Sequence, residues 1–504
     1  MIKIKRCLIS VSDKEGIVDF AKALSELKIE IIASSGTAKL LKDSGIDVIL
    51  IDEITGFPEI LGGRVKTLHP VIHSGILAKR EKEHLDELER HNIKPIDMVV
   101  CNLYPFEEKI KEQISQDEAI EEIDIGGVSL IRAGAKNYKY VATIVDKGQY
   151  QRVLDILKEN GGIPEEFSYS LAKAAFAYIA HYDTVISDWF LSRAQNNGFL
   201  KDKFPDVLNI SLKKVYELRY GENPHQKGAF YVKEKPEFAI IQGELSYNNI
   251  LDTSSAWGLA CEFKEPACVI IKHNNPCGVA LSDDLYSAYR LAFEADPISA
   301  FGGIIGVNRC LDLKTATAIS KTFYEGIIAP DFEEGVKGIF LNKKIRLIKG
   351  AYKKDKICLR SALSGFLLQE KDIENYKNLY FPTKKKPTDD ELEDLIFAYC
   401  VCKYVTSNAI VIARNKKTLG ICGGQTNRVS AVKIACERAK EKVSGSCLAS
   451  DGFFPFQDSI DVAGKYGVSA IIEPGGSIRD KEVIEAADSF GISLVFANIR
   501  HFKH

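Results

Sequence analysis

Over about the first 150 residues, short β-branched runs alternate with helical periodicity. Residues 7–11, 29–33 and 48–51 read as strands, and 15–27 and 37–42 as helices. This alternation predicts parallel α/β units. Two strand-to-helix turns follow from it, Ser10-Val11-Ser12-Asp13-Lys14 and Ser34-Ser35-Gly36-Thr37, on one edge of the sheet. Both set hydroxyls and backbone amides at helix N-termini, where unpaired N–H groups and the helix dipole favour a phosphate. Ser12 and Glu15 also fit an S-x-x-E capping box, so Ser12 reads equally as a helix cap.

Further apolar runs end in Gly62-Gly63-Arg64-Val65-Lys66-Thr67-Leu68-His69-Pro70, Cys101-Asn102-Leu103-Tyr104, Ile123-Asp124-Ile125-Gly126-Gly127 and Lys136-Asn137. Ligands of open parallel sheets bind beyond the carboxyl ends of the strands, so Lys66, Tyr104, Asp124 and Lys136 are expected to converge on one pocket. Cations, a phenol and a carboxylate together suit addition or elimination at a carbonyl.

A helical stretch over 171–191 precedes polar residues at 195–206, where a domain boundary is expected. Beyond it the turns change vocabulary. Leu218-Arg219-Tyr220-Gly221-Glu222-Asn223, Ser246-Tyr247-Asn248-Asn249 and Ala300-Phe301-Gly302-Gly303 offer arginine, amides and rings suited to a flat heterocycle. Val269-Ile270-Ile271-Lys272-His273-Asn274 delivers a cation and a group that titrates near neutrality into one turn. Taken alone, that pair reads first as the polar end of a buried strand. A lysine-rich stretch at 384–387 reads as a solvated connection. An apolar strand, a polar turn and a helix occur near 267–295 and again near 409–442, the second after Ser407-Asn408, which hints at duplication.

Composition limits the function classes. The 504 residues are 45% hydrophobic and 27% charged, so the chain can bury large cores and has room for about three domains. A net charge of −2 provides no global attraction for nucleic acid or an anionic membrane. Twelve scattered cysteines lack C-x-x-C spacing, and Pro70 separates His69 from His73 without a following glutamate, so no protein-built metal site is expected. Free thiols fit a reducing cytosol. Neither a signal-peptide core nor an apolar run of about 18 residues occurs.

The series SVSDK, TGFPE, LGGRVKTLHP, CNLYPF, IDIGG, LRYGENPHQ, LSYNN, PCG, DPISAFGG and the Phe453-Phe454-Pro455-Phe456 run resembles, in order, the bifunctional purine-biosynthesis enzymes. These combine aminoimidazole carboxamide ribonucleotide (AICAR) formyltransferase with inosine monophosphate (IMP) cyclohydrolase, and the likeness covers the full length. It implies an α/β fold with two parts. Residues 1–195 would form a methylglyoxal-synthase-like, Rossmann-type cyclohydrolase domain. Residues 206–504 would form a duplicated cytidine-deaminase-like formyltransferase domain without zinc, with subdomains near 206–383 and 388–504.

The resemblance further implies 10-formyltetrahydrofolate as co-substrate, nucleotide and folate substrates, a cytoplasmic homodimer, and neither nucleic-acid nor membrane partners. It gives His273 deprotonation of the attacking amine, Lys272 assistance to the leaving folate nitrogen, and Asn408 a positioning role. Arg219, Tyr220, Asn248 and Gly303 would help bind substrate. Ring closure falls to Lys66, Tyr104, Asp124 and Lys136. Ser10, Ser12, Lys14, Ser34, Gly36 and Thr37 would surround the phosphate, with Arg64, Thr67, Asn102, Gly126 and Gly127 in the same pocket. Three departures stand out against the family pattern: Ser35 replaces a glycine, which would cost about 1 kcal/mol in a left-handed turn; Asn274 replaces an alanine; and Phe366 interrupts a glycine pair. A formyltransferase whose first domain only binds nucleotide, and a non-catalytic nucleotide sensor, are the alternatives.

Overall fold

The computed structural model describes residues 1–61, 64–196, 204–233, 235–351 and 357–504. Gly62, Gly63 and residues 197–203, which carry part of the expected glycine motif and domain boundary, lie outside them. The chain divides into two compact units, Met1–Ser211 and Leu212–His504.

In the first unit β1 (Arg6–Val11), β2 (Glu30–Ala33), β3 (Ile49–Leu50), β4 (Met98–Asn102) and β5 (Ala142–Ile144) form a wholly parallel sheet in the order β3-β2-β1-β4-β5. Cys7, Leu8 and Ile9 are fully buried, as expected of a strand covered on both faces. The strand order reverses between β1 and β4, and a crevice opens at such a point beyond the strand ends. Ser10 pairs with Cys101 and Val11 with Asn102, so the loops after these two strands leave side by side.

The first helix, Ile17–Glu26, begins after the left-handed Gly16, so the expected Ser12–Glu15 capping box does not form. The second helix, Ser35–Asp43, takes Ser35 as its first residue, with Ser34 as its extended N-cap. Ser35 is therefore helical, and the left-handed strain expected at this departure is not incurred. The expected helix at 171–191 is longer, Glu165–Asn196, and packs on the Gly126–Lys136 helix.

The second unit contains two hairpin ribbons, β6 (Lys213–Leu218) with β7 (Gly228–Val232) and β14 (Ile357–Ala362) with β15 (Gly365–Glu370). Its main sheet has eleven strands. These are β8 (Phe238–Gln242), β9 (Ala267–Lys272), β10 (Asn275–Leu281), β11 (Ile304–Val307), β12 (Gly326–Ala329), β13 (Arg346–Gly350), β16 (Ile410–Arg414), β17 (Lys417–Cys422), β18 (Cys447–Ser450), β19 (Ala470–Glu473) and β20 (Ser493–Phe496). Their order is β20-β19-β18-β16-β17-β10-β9-β11-β12-β13-β8, which, apart from the edge strand β8, mirrors itself about the β17–β10 pair.

Each half begins with a helix, Tyr247–Ala260 or Asp389–Cys402, started by a serine or threonine capping box. A hairpin, a helix and three further strands follow. The duplication extends to single residues. Gly278 on β10 and Gly420 on β17 occupy matching positions, and a Cβ on either would overlap a carbonyl of the covering helix, that of Ala292 or Ala435. The repeated unit is thus a hairpin followed by a helix, whereas the sequence pattern suggests a strand, a turn and a helix. Lys385 and Lys386 of the expected solvated stretch are exposed, but both ammonium groups donate to backbone carbonyls.

Candidate active sites

In the first unit a cavity of about 600 Å³ opens where β1 and β4 end. Ser10, Ser12, Lys14, Ser34, Gly36, Thr37, Arg64, Lys66, Thr67, Asn102, Tyr104, Asp124, Gly126 and Gly127 all line it. Two helices start there, Ser35–Asp43 and Gly126–Lys136, and neither N-cap side chain closes its helix. The first N–H groups of the Ser35–Asp43 helix lie beside Lys14 at the Ser34–Gly36 turn, an arrangement suited to an anion, whereas Asp124 takes the Gly127 N–H at the start of the other helix. An ideal Cβ on Gly36 would lie 3.7 Å from Lys14 Nζ.

Some lining residues hold the loops. Asn102 Oδ1 accepts the N–H groups of Ser12 and Asp13 at 2.6 and 3.0 Å, and its amide donates to Asp13 O at 2.9 Å. The Thr37 hydroxyl, fully buried, is engaged with the Val11 backbone. Asn102 and Thr37 therefore shape the crevice. Arg64 Nε donates to Glu121 Oε2 at 3.1 Å on the exposed rim.

The remaining groups form a reactive cluster. Lys66 Nζ donates to the Tyr104 hydroxyl at 3.2 Å. Asp124 Oδ1 accepts the Gly127 N–H at 2.7 Å. Burial raises the Asp124 carboxyl above its ordinary range, against the opposing pull of that N–H and of the Lys66 charge. It is a stronger base than an exposed carboxylate. Two tyrosines of the Glu165–Asn196 helix fix the loops: Tyr178 Oη accepts the Leu103 N–H at 3.1 Å, and Tyr182 Oη accepts the Asp124 N–H at 2.9 Å while donating to Glu122 O at 3.0 Å.

Lys136 does not join the cluster. It is exposed at the last position of the Gly126–Lys136 helix, ten residues or about 15 Å along the axis from the end that faces the cavity. Sequence reasoning also passed over Ile120, Glu121, Ile123 and Ile125 as lining residues. The last two flank Asp124 and were legible as the apolar members of IDIGG.

In the second unit Lys272 ends β9, and His273 and Asn274 make a two-residue turn into β10. Their φ angles are 52° and 60°, both left-handed, as a type I′ hairpin requires. Asp252 Oδ1 accepts the Asn274 N–H at 2.6 Å, and Ser255 bonds the Asn274 side chain. Lys272 Nζ donates to Phe301 O at 2.9 Å, beside Gly302, whose φ of 71° and lack of a Cβ leave room for the ammonium. His273 is exposed.

Asn408 is held by its own N–H and Nδ2, both donating to Gln425 O, at 3.2 and 2.8 Å. The Thr406 N–H donates to Asn275 Oδ1 at 2.8 Å, which ties the Asn408 segment to the His273 hairpin. Arg219 lies over the Tyr220 ring, 5.7 Å from its centroid. Asn248 Nδ2 donates to Glu222 O at 3.2 Å, one helical turn before Asp252, so this turn and the His273 turn hang from one helix. Gly303 is buried, and an ideal Cβ there would lie 2.8 Å from Ile271 O, so it packs closely against the neighbouring Lys272 strand. Asp252 and Lys503, which also touches this hairpin, were missed by sequence reasoning.

Residues 134–438 match the family model of the AICARFT/IMPCHase bienzyme, and residues 16–129 that of the MGS-like domain. The chain is 50% identical, over 99% of its length and 100% of the relative's, to the bifunctional purine biosynthesis protein PurH of Thermoanaerobacter sp. (strain X514). The chain belongs to the AICARFT/IMPCHase bienzyme family. PurH of Persephonella marina and of Caldicellulosiruptor saccharolyticus are each 49% identical over 99% of the chain and 100% of their own lengths. The bienzyme joins an MGS-like N-terminal domain to a C-terminal AICARFT/IMPCHase part, and carries AICAR formyltransferase and IMP cyclohydrolase activities in purine biosynthesis. No described helix is long and apolar enough to cross a membrane, and among the described residues no group of three or more His, Cys, Asp and Glu is placed to hold a metal ion.

Proposed function

We propose that ring closure takes place in the Met1–Ser211 cavity and formyl transfer at the Lys272-His273 hairpin. In ring closure the carboxamide nitrogen of the formylated ribonucleotide attacks the formamide carbon. Asp124 takes the nitrogen's proton, and Lys66 and Tyr104 stabilise the oxyanion that forms. Return of that proton gives a hydroxyl, which leaves as water with a second proton as the former formamide nitrogen loses its N–H and forms the ring C=N bond, giving IMP. The nucleotide phosphate sits on the N-terminus of the Ser35–Asp43 helix beside Lys14, which fixes the base over Asp124.

At the hairpin, His273 accepts a proton from the AICAR amine as that nitrogen attacks the formyl carbon of 10-formyltetrahydrofolate. Lys272 assists the departing folate nitrogen, and Asn408 orients the reacting groups. An aromatic amine is a weak nucleophile, so positioning and proton removal both contribute, the latter typically about 10²–10⁴-fold. A second copy of the chain is the partner. The hairpin histidine is exposed, and Ile298 and Phe301, near the Lys272 contact, are 89% and 60% exposed, an apolar surface suited to a homodimer interface. Twelve cysteines outside any disulfide fit the cytoplasm.

The observation that carries the proposal is the meeting of Lys66, Tyr104 and Asp124 in one cavity with the open N-terminus of the Ser35–Asp43 helix. Asp124→Asn should abolish cyclisation of purified formylated ribonucleotide while formyl transfer continues. Undiminished cyclisation by this variant would remove Asp124 from the mechanism, and a monomer by light scattering at assay concentration would remove the dimer.

A further inference from the structure

Lys503 lies 229 positions from Asn274 in sequence, yet its ammonium donates to Asn274 O at 2.9 Å and to Tyr404 O at 2.8 Å. Its own carbonyl accepts the N–H of Ser407, the residue before Asn408, at 2.8 Å. One residue therefore touches both segments of the formyl-transfer site. The peptide groups of Asn274 are gripped at each side, the N–H by Asp252 and the carbonyl by Lys503. Burial lowers the ammonium to about 8, with the Asp252 charge opposing the shift.

The duplicated half is an internal control. Asn415 and Lys416 match His273 and Asn274, with φ of 55° and 51°. Asp394, which matches Asp252, accepts both turn N–H groups at 2.8 and 2.6 Å. There the carbonyl equivalent to that of Asn274, Lys416 O, is taken by the backbone N–H of Leu281 at 2.9 Å. The same turn thus closes with a backbone donor in place of a lysine. Turn formation alone does not require the cation.

We infer that Lys503 is a positioning residue for formyl transfer, clamping the His273 turn against the Tyr404–Asn408 segment so that imidazole and amide keep one geometry toward the reacting amine. The inference rests on the proposed roles of His273 and Asn408. Charge-assisted hydrogen bonds are about twice as strong as neutral ones, and a misplacement of about 1 Å costs about 10²-fold in rate. A loosened clamp acts on the chemical step, because substrate contacts made elsewhere persist.

The test measures both activities of the full chain in Lys503→Met, Lys503→Gln and Lys503→Arg. The methionine variant should lose about 10–100-fold in kcat for formyl transfer, with KM for both substrates within about threefold and cyclisation unchanged. Arginine, which keeps a charged donor, should restore most of the rate. A KM rise at constant kcat, or arginine performing no better than methionine, overturns the inference. Should methionine unfold the second unit, glutamine, whose amide donates N–H bonds without the charge, is held to the same criteria. His273→Ala is assayed alongside: if it still transfers formyl groups, the assignment beneath the clamp falls. If it is inactive while Lys503→Met is unimpaired, the clamp alone falls.

Discussion

Gly127→Ala places a methyl group at the second residue of the Gly126–Lys136 helix, where two effects of opposite sign meet. Helix propensity alone favours alanine over glycine by about 1 kcal/mol. The ideal Cβ, however, would lie 2.5 Å from Asp124 Oδ2, 3.0 Å from Asp124 Cγ and 2.8 Å from Leu103 Cδ2. Carbon and oxygen approach to about 3.3 Å, so the carboxylate must retreat by about 0.8 Å. Leu103 is nearly fully buried and blocks movement of the helix the other way. Overpacking of this kind costs about 1–3 kcal/mol, which cancels or exceeds the propensity gain. The retreat also lengthens the 2.7 Å bond from the Gly127 N–H and turns the base away from the nitrogen it serves. A displacement near 1 Å corresponds to about 10²-fold in rate. The assay is kcat for cyclisation of the formylated ribonucleotide, with formyl transfer by the same sample as the control. A variant that cyclises within twofold of the parent, or is more stable at equal activity, would refute the reasoning.

Other consequences can be checked in parallel. Because burial raises the Asp124 carboxyl, the ionised form is the disfavoured one in the fold; its contribution to stability is fully present below the ordinary carboxylate range and is lost as pH rises through the raised value. Asp124→Asn should therefore be at least as stable as the parent at pH 7 in urea unfolding although inactive in cyclisation, and the parent's cyclisation rate should fall with acidification at a pH above the ordinary value of 3.8. Tyr182→Phe removes the acceptor of the Asp124 N–H and should cost about 1–3 kcal/mol, with kcat for cyclisation reduced and formyl transfer intact. Gly278→Ala and Gly420→Ala each drive a methyl group into a helix carbonyl, so both should destabilise the second unit by about 1–3 kcal/mol in thermal unfolding. Unequal effects, one neutral and one severe, would count against the residue-level duplication.

Much of the first crevice was legible in sequence because parallel sheets deliver their ligands to strand ends. Ser10 and Tyr104 lie at the ends of β1 and β4, where topology gathers them, whereas Lys66 and Asp124 reach the crevice from glycine-bearing segments that follow helices. Lys136 misled because it too follows a motif with glycines, but it ends a helix whose other end faces the cavity, and helical rise carries it away. Ser12 carried a capping pattern that Gly16 overrode by starting the helix four residues later. The His273 turn was harder to read. A type I′ hairpin is usually advertised by glycine, and only Asn274 in this pair tolerates a left-handed backbone readily, so the segment read as a strand end. Asp252 and Lys503 leave no local signal, since what makes them important is a contact across 22 and 229 positions.

The central claim is that two separate constellations divide the chemistry of the bienzyme. His273→Ala, folded by circular dichroism and assayed for both steps, tests it most directly. The account predicts loss of formyl transfer from 10-formyltetrahydrofolate with cyclisation of added formylated ribonucleotide at the parent rate. Loss of both activities in the folded protein, or formyl transfer at the parent rate, would contradict it.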